Sequence, residues 1–313
     1  MKSWQELIKT ELFEKQLNDW PLARKNYACL DAVLSKTIRF DDFEIRVQFN
    51  PKRVRSVTAQ ANPALNRNAC ILCPENRPPE QVAIAYAPSY HILLNPFPIF
   101  AKHLTIPDTR HLPQQIRSRL ADFLAMAKNL PDYSLLYNGP SCGASVPAHL
   151  HFQAIEREVL PIEKESAGKK ALIRTDKSGS VYHFPDYLRK VFLLESNDVD
   201  WLCRTFGRIE DYRPESDPAL SEGFCFNILA QYNAPFWQLY IFPRSSHRPA
   251  RFYEPEESRL LVSPGIVDMA GVLITVREDD YSRIDSETLR DIFRQVSISD
   301  KDETRIIKLI QNQ

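Results

Sequence analysis

Residues 137–155 read YNGPSCGASVPAHLHFQAI. From His149 onward polar and apolar residues alternate, the pattern of a half-buried strand. Leu150, Phe152 and Ala154 then face a core, and His149, His151 and Gln153 share the opposite face. The preceding loop, Asn138 to Ser145, holds Gly139 and Gly143, two of only eight glycines in the chain. Backbone N–H groups of such a loop, with the Ser141 and Ser145 hydroxyls, can converge on anionic oxygens. Five of the seven histidines fall between positions 91 and 151, so the residue types that carry chemistry gather around this one segment.

A neutral imidazole facing a phosphate-type loop can attack the α-phosphorus of a nucleotide. The product is a phosphoramidate, with the nucleotide held on His151. Charge grows on the non-bridging oxygens, where donors from Asn138, Gly143, Ser145 and the Gln153 amide would stabilise it. Gln153 can neither protonate a poor leaving group nor serve as a base for water. A phosphate or sugar phosphate, with a second pKa near roughly 6, departs without an acid. The residues therefore favour transfer to phosphate over hydrolysis. Taken alone, His-x-His-x-Gln also fits a polar strand edge or a metal-binding pair.

Outward from this site, residues 112–130 have helical periodicity with Pro113 in the first turn. Residues 82–107 hold strand-like runs, and 37–50 read as a hairpin around an acidic turn. Residues 3–20 read as an amphipathic helix. Residues 51–81 have the composition of a long loop, which needs its own source of order. Cys70-x-x-Cys73, with His111 and His149, offers the donor set of a structural zinc site. Two buried thiols or a redox pair remain alternatives on spacing alone.

Downstream, 161–180 reads as a polar linker and 185–196 as a helix. The paired strands FCFNILAQY and FWQLYIFPR follow, then a polar helix over 286–313. Arg244 and His247 read as an exposed loop, His103 as a structural histidine, and Glu278-Asp279-Asp280 as a solvated turn. The second half thus repeats strands followed by helix. The class is α+β, divided into an N-terminal half, 1–165, with the transfer site and a diverged C-terminal half, 166–313, that completes the pocket.

Lys plus Arg and Asp plus Glu both number 40, giving zero formal charge over 313 residues. That balance argues against nucleic acid or an anionic membrane as partners, since both select a basic surplus. No run reaches the roughly 20 apolar residues of a membrane span, and the first residues lack a signal-peptide core. A cytoplasmic protein is expected.

The motif His149-x-His151-x-Gln153 resembles that of the histidine-triad superfamily, in its galactose-1-phosphate uridylyltransferase branch. The resemblance implies a histidine-triad-like fold of two diverged halves, His151 as nucleophile, and Gln153 on the phosphate of the intermediate. It also implies zinc held by Cys70, Cys73, His111 and His149. HLHFQAIEREVLPIEK, QFNPKRVRS and SPGIVDMAGVLITVREDDY are similar to segments of the GDP-hexose phosphorylases, which makes Arg53 and Arg55 candidate phosphate contacts. HILLNPFPIFAKHLTIP is similar to the nucleotide-binding strands of those enzymes and of the dinucleoside-tetraphosphate phosphorylases, which makes Asn95 and Phe97 base or ribose contacts. FWQLYIF has none of the histidines that carry a second metal in the uridylyltransferases, so no second metal is expected. The implied reaction is nucleotidyl transfer from a nucleotide sugar, GDP-hexose foremost, or a dinucleotide, to phosphate or a sugar phosphate. A hydrolase of the same superfamily and a non-catalytic, zinc-stabilised nucleotide-binding protein are the competing readings. Dimers occur among relatives, so a homodimer is one expectation.

Overall fold

The computed structural model describes residues 3–58, 68, 70–214 and 223–312, apart from the side chains of Arg55, Ser56 and Ser166. The role expected for Arg55 therefore falls outside the described side chains. The strands run in chain order β1 Leu34–Arg39, β2 Glu44–Phe49, β3 Ala83–Tyr86, β4 Tyr90–Leu94, β5 His103–Pro107, β6 Tyr133–Asn138 and β7 His151–Glu156. They continue with β8 Ala171–Thr175, β9 Gly179–His183, β10 Phe192–Ser196, β11 Cys225–Asn233, β12 Phe236–Arg244 and β13 Val272–Thr275.

Ten of these form one sheet in the order β3-β4-β5-β7-β6-β11-β12-β10-β9-β8. Every neighbouring pair in it is antiparallel. From its outer edge inward the first half runs β3-β4-β5-β7-β6, and the second runs β8-β9-β10-β12-β11. The two orders are the same topology. A helix follows the third strand in each case, Leu120–Asn129 in the first half and Val199–Asp211 in the second. The halves join where β6 pairs with β11, with Asn138 directly opposite Asn227. The fold is thus α+β, made of two diverged halves.

Side-chain alternation gives the sheet two apolar faces. Phe152 and Ala154 of β7, with Ile228 and Ala230 of β11, pack with Phe123 and Phe206 from the two helices and with Ile306 and Ile310 from the C-terminal helix Asp300–Gln311. Leu136, Leu229, Tyr240 and Phe242 point the other way and pack with Ile45, Val47, Leu273 and Phe293. This second face is covered by a three-stranded sheet, β1-β2-β13. In it β13, from the second half of the chain, runs parallel to β2 from the first. No helix among the described residues is long and apolar enough to cross a membrane.

Several local readings change. Residues 161–180 form the helix Pro161–Lys169 and the hairpin β8–β9 rather than a linker. Leu160 and Ile162 are buried, the Glu163 carboxylate accepts the Leu160 N–H, and Asp176 closes the hairpin turn by accepting from Ser178 and Gly179. Residues 192–196 are strand, not helix, because Phe192 and Leu194 face one core and Leu193 the other. Burial on both faces removes the alternation that marks a strand, so a short apolar run is ambiguous. Residues 286–313 split into helices Ser286–Val296 and Asp300–Gln311, each with its own cap, Asp285 and Ser299. Asp280 is fully buried and holds Arg277, Arg283 and the Leu261 N–H, so the acidic run is an anchor rather than a solvated turn.

Phe152 is fully buried, its ring 4.9 Å from Phe123, 5.7 Å from Tyr90 and 6.2 Å from Tyr137. Phe152→Ala opens a cavity under the strand that carries His151 and should cost about 3–5 kcal/mol. The expected readout is a lower urea midpoint at unchanged slope.

Candidate active site

β7 places His151 and Gln153 on one face at the inner end of the first half. His151 is only 5% exposed. Its Nδ1 lies 2.7 Å from the His149 carbonyl, which can only accept, so Nδ1 carries the proton and Nε2 keeps its lone pair. Burial is the main cause that pushes the imidazole pKa down to about 4, with His149 adding to it and the carbonyl contact opposing it. The ring is therefore neutral at physiological pH.

Gln153 is oriented by His103, which is fully buried. The Ile99 N–H points at His103 Nδ1 over 3.2 Å, so that nitrogen accepts and Nε2 carries the proton. His103 Nε2 then donates to Gln153 Oε1 over 2.7 Å. Burial, with Arg53 nearby, holds the His103 pKa down to about 3. With its oxygen engaged, Gln153 turns its NH2 group outward. His103 is a structural histidine as expected, but its partner is the motif glutamine.

Gln153 lines a cavity together with Arg53, Asn138, Gly143 and Ser145. The second half completes the wall with His247, Arg248, Gly265 and Asp268. His151 is not itself among the lining residues; it lies two residues before Gln153 on the same face of β7. Arg53 donates to the Phe97 carbonyl over 2.7 Å, and burial lowers its pKa to about 10, which leaves it charged. Asn95 and Phe97 are absent from the cavity lining. Asn95 Oδ1 accepts the Phe97 N–H over 2.9 Å, so the pair braces the segment that holds Arg53.

His247 and Arg248 reach the cavity rather than an exposed loop. Arg248 Nε donates to Ser263 Oγ over 2.9 Å and its Nη2 to the Val57 carbonyl over 3.0 Å, which ties the two halves across the pocket. Burial and the adjacent Arg248 and Arg244 push the His247 pKa down to about 4. Asp268 is the carboxylate in the wall. Burial raises its pKa to about 6, against the Gly265 and Ile274 N–H groups that it accepts.

Residues 112–116 are not helical, since the helix starts at Leu120 after a short turn. The strap is used for the site instead. Gln114 is buried, and its Nε2 donates to the carbonyls of Asn138, at 2.8 Å, and His151, at 2.9 Å. Its Oε1 accepts the His151 N–H at 2.8 Å. One side chain thus fixes where the phosphate-type loop leaves β6 and where His151 begins β7. Periodicity concealed this residue, because it lies in a run whose apolar spacing also suits a helix.

Cys70, Cys73, His111 and His149 converge, with their donor atoms all within 4.8 Å of one another. Nδ1 of His149 is 3.3 Å from Cys70 Sγ, and Nδ1 of His111 is 3.3 Å from Cys73 Sγ. His149 Nε2 donates to the Asp108 carbonyl over 2.7 Å, which leaves Nδ1 unprotonated toward the thiols. This is the outer support that metal-bound histidines have. The group can hold one metal ion.

Among the described residues, the equivalent strand of the second half, β12, carries no such pair. Tyr240 and Phe242 of β12 face the core on the side where β7 carries His151 and Gln153. Cys142 and Cys225 lie beneath the loop with sulfurs 2.8 Å apart, and burial pushes the Cys142 thiol well up.

Residues 12–156 match a family model described as a domain of unknown function, DUF4922. Residues 161–313 match one described as GDPGP1-like, C-terminal domain. The chain is similar to the GDP-hexose and Ap4A phosphorylases. The crystal structure of yeast Ap4A phosphorylase Apa2 is 15% identical, covering 92% of this chain and 96% of that one, with a TM-score of 0.57. Its complex with AMP gives 17% identity, 92% and 98% coverage and a TM-score of 0.56. Its complex with Ap4A gives 14%, 91% and 97%, and 0.53. These matches show a shared histidine-triad-like fold. No curated protein sequence matches significantly.

Gln114→Leu keeps the side-chain bulk but strands two carbonyls and the His151 N–H. At about 1–3 kcal/mol for each buried group left unsatisfied, with partial relaxation, the loss should be about 2–4 kcal/mol. Chemical denaturation measures it, and a change below about 0.5 kcal/mol would contradict the clamp.

Proposed function

We propose that the protein is a nucleotidyltransferase of the phosphorylase type, acting at the α-phosphorus of a nucleotide donor through a nucleotidyl-His151 intermediate. The observation that carries this reading is the bare Nε2 of a neutral, buried imidazole on the same strand face as Gln153, which lines a cavity with other amide and guanidinium donors. Nε2 forms a bond to the α-phosphorus, and the bond from phosphorus to the bridging oxygen breaks. A sugar phosphate, or the remaining nucleotide, leaves with that oxygen and its electron pair. Phosphate then attacks the same phosphorus, releasing a nucleoside diphosphate and restoring the imidazole. Gln153, Asn138, Ser145 and Arg53 would meet the charge on the non-bridging oxygens. Gln153 supplies no acid, and a phosphate leaving group needs none.

The GDPGP1-like match over the second half supports a GDP-hexose as donor. Apa2, with Ap4A in its crystal structure, supports a dinucleotide as the other donor to try. We place this chemistry in the cytoplasm, where the six cysteines stay reduced.

We also propose that the metal held by Cys70, Cys73, His111 and His149 is zinc, in a structural role. Two thiols and two imidazoles are a standard zinc donor set, and tetrahedral zinc would space S and N ligands by roughly 3.5 Å. The S–N separations of 3.3, 3.3 and 3.5 Å fit that. Such an ion anchors the loop bearing Cys70 and Cys73 to the start of β7, and takes no part in the steps above.

Incubation with GDP-glucose, or with diadenosine tetraphosphate, should add one nucleoside monophosphate to the peptide containing His151. His151→Ala should form no adduct and turn over at least about 10³-fold slower. Activity that survives this change, or the absence of any adduct with either donor, would refute the reading. Turnover to which water contributes and phosphate gives no acceleration would mark a hydrolase instead. Elemental analysis should find about one zinc per chain. Cys70→Ser/Cys73→Ser should lose it and lower Tm, whereas zinc retained in that variant would rule out this ligand set.

A further inference from the structure

We infer that Arg244 and Asn227, both from the second half, act as positioning residues that force the Asn138 amide to present its NH2 group to the reacting phosphoryl oxygen. This rests on the nucleotidyl-transfer reading above.

Arg244 ends β12 and is 1% exposed. Its guanidinium donates to the carbonyls of Val296 at 3.0 Å, Pro264 at 2.8 Å, and Ser246 and His247, both at 3.1 Å. The remaining contact is to Asn227 Oδ1, at 2.5 Å. A guanidinium has no acceptor, so Asn227 must turn its oxygen to Arg244 and its NH2 group away. That group donates to the Cys142 carbonyl at 2.6 Å and to Asn138 Oδ1 at 2.8 Å. The Ile266 N–H donates to the same Asn138 oxygen at 2.7 Å. Neither of these donors can accept, so the Asn138 oxygen is fixed toward Asn227 and the Ile266 N–H. What remains for the cavity is Nδ2, from which no described residue accepts.

The backbone is shaped to permit this. A Cβ on Gly265 would come within 3.1 Å of Asn138 Oδ1, and one on Gly143 within 3.3 Å. Gly143 also has φ +108°, a conformation that favours glycine. Asn138 faces Asn227 directly across the strand junction, so the relay passes through the seam between the halves. The same five-donor guanidinium holds the carbonyls of the segment that brings His247 to the cavity. The second half, whose strand β12 carries no histidine, thereby sets the polarity of a donor in the first.

The test is a double-substitution cycle on the full chain, with GDP-glucose or diadenosine tetraphosphate as donor, inorganic phosphate as acceptor, and the rate of adduct formation as readout. Asn227→Asp keeps the contact to Arg244 but offers an acceptor where Asn138 needs a donor. The Asn138 oxygen then keeps only the Ile266 N–H and faces a carboxylate, which draws the NH2 group toward position 227 and away from the phosphoryl group. Adduct formation and kcat should fall about 10²-fold, the loss typical for one oxyanion donor, with KM within about threefold. Asn138→Ala should show a comparable loss. On that background Asn227→Asp should cost less than about threefold more, because the group it acts through is gone. Asn227→Ser, neutral and smaller, should repeat the effect if the aspartate variant folds poorly. Losses that multiply, or Asn227 variants that form the adduct at the wild-type rate, overturn the relay while leaving the nucleotidyl-transfer reading intact. A wild-type chain that forms no adduct overturns both.

Discussion

Burial of polar side chains governs this site. A buried imidazole or amide must be hydrogen-bonded or it costs free energy. His103, Gln114 and Asn227 have both polar atoms engaged, whereas four others each engage one. His149 gives Nε2–H to the Asp108 carbonyl and keeps Nδ1 for the thiols. His151 gives Nδ1–H to the His149 carbonyl and keeps Nε2. Gln153 takes a hydrogen bond from His103 on its oxygen and keeps its NH2. Asn138 takes two on its oxygen and keeps its NH2. The partners are mostly backbone groups, whose direction the sheet fixes. Tautomers and amide orientations are therefore consequences of strand register. The neutral state of His151 comes from the same desolvation that makes those hydrogen bonds obligatory.

Much of the site was legible in the sequence because it is local. The alternation His149, His151, Gln153 against Leu150, Phe152, Ala154 is a strand with one polar face, and the glycines before it mark the loop. The pairing of Cys70 and Cys73 with His111 and His149 was readable as a donor set, although only the fold brings the four together. What stayed hidden depends on long-range pairing. Arg244 looked like loop composition and is a buried hub, because the carbonyls it binds, at Pro264 and Val296, are far from it in sequence. Gln114 lay within an apparent helix. Residues 192–196 looked helical because both faces of that strand are covered. His247 and Arg248 enter the cavity only through the closure of the second half on the first.

The two halves share a topology but not a chemistry. Where β7 carries His151 and Gln153, β12 carries Tyr240 and Phe242, which pack against the three-stranded sheet. That face of the second half is therefore part of the apolar core rather than a polar surface. The polar residues His247, Arg248 and Asp268 of this half lie at the margin, in the wall of the cavity that Gln153 and Arg53 also line. The cavity is therefore asymmetric although the scaffold is not.

The junction has a further consequence. β6 and β11 hold equivalent places in their halves, and each is the other's partner. Either half alone would expose that strand as an open edge, with unpaired N–H and C=O groups along Leu135–Asn138 or Asn227–Ala230. An edge of this kind is completed most readily by an identical edge related by a two-fold axis. The architecture is that of a symmetric dimer written into a single polypeptide. Covalent linkage fixes which copy sits on which side, and that freedom from symmetry is what allows one copy to carry His151 and Gln153 where the other carries Tyr240 and Phe242.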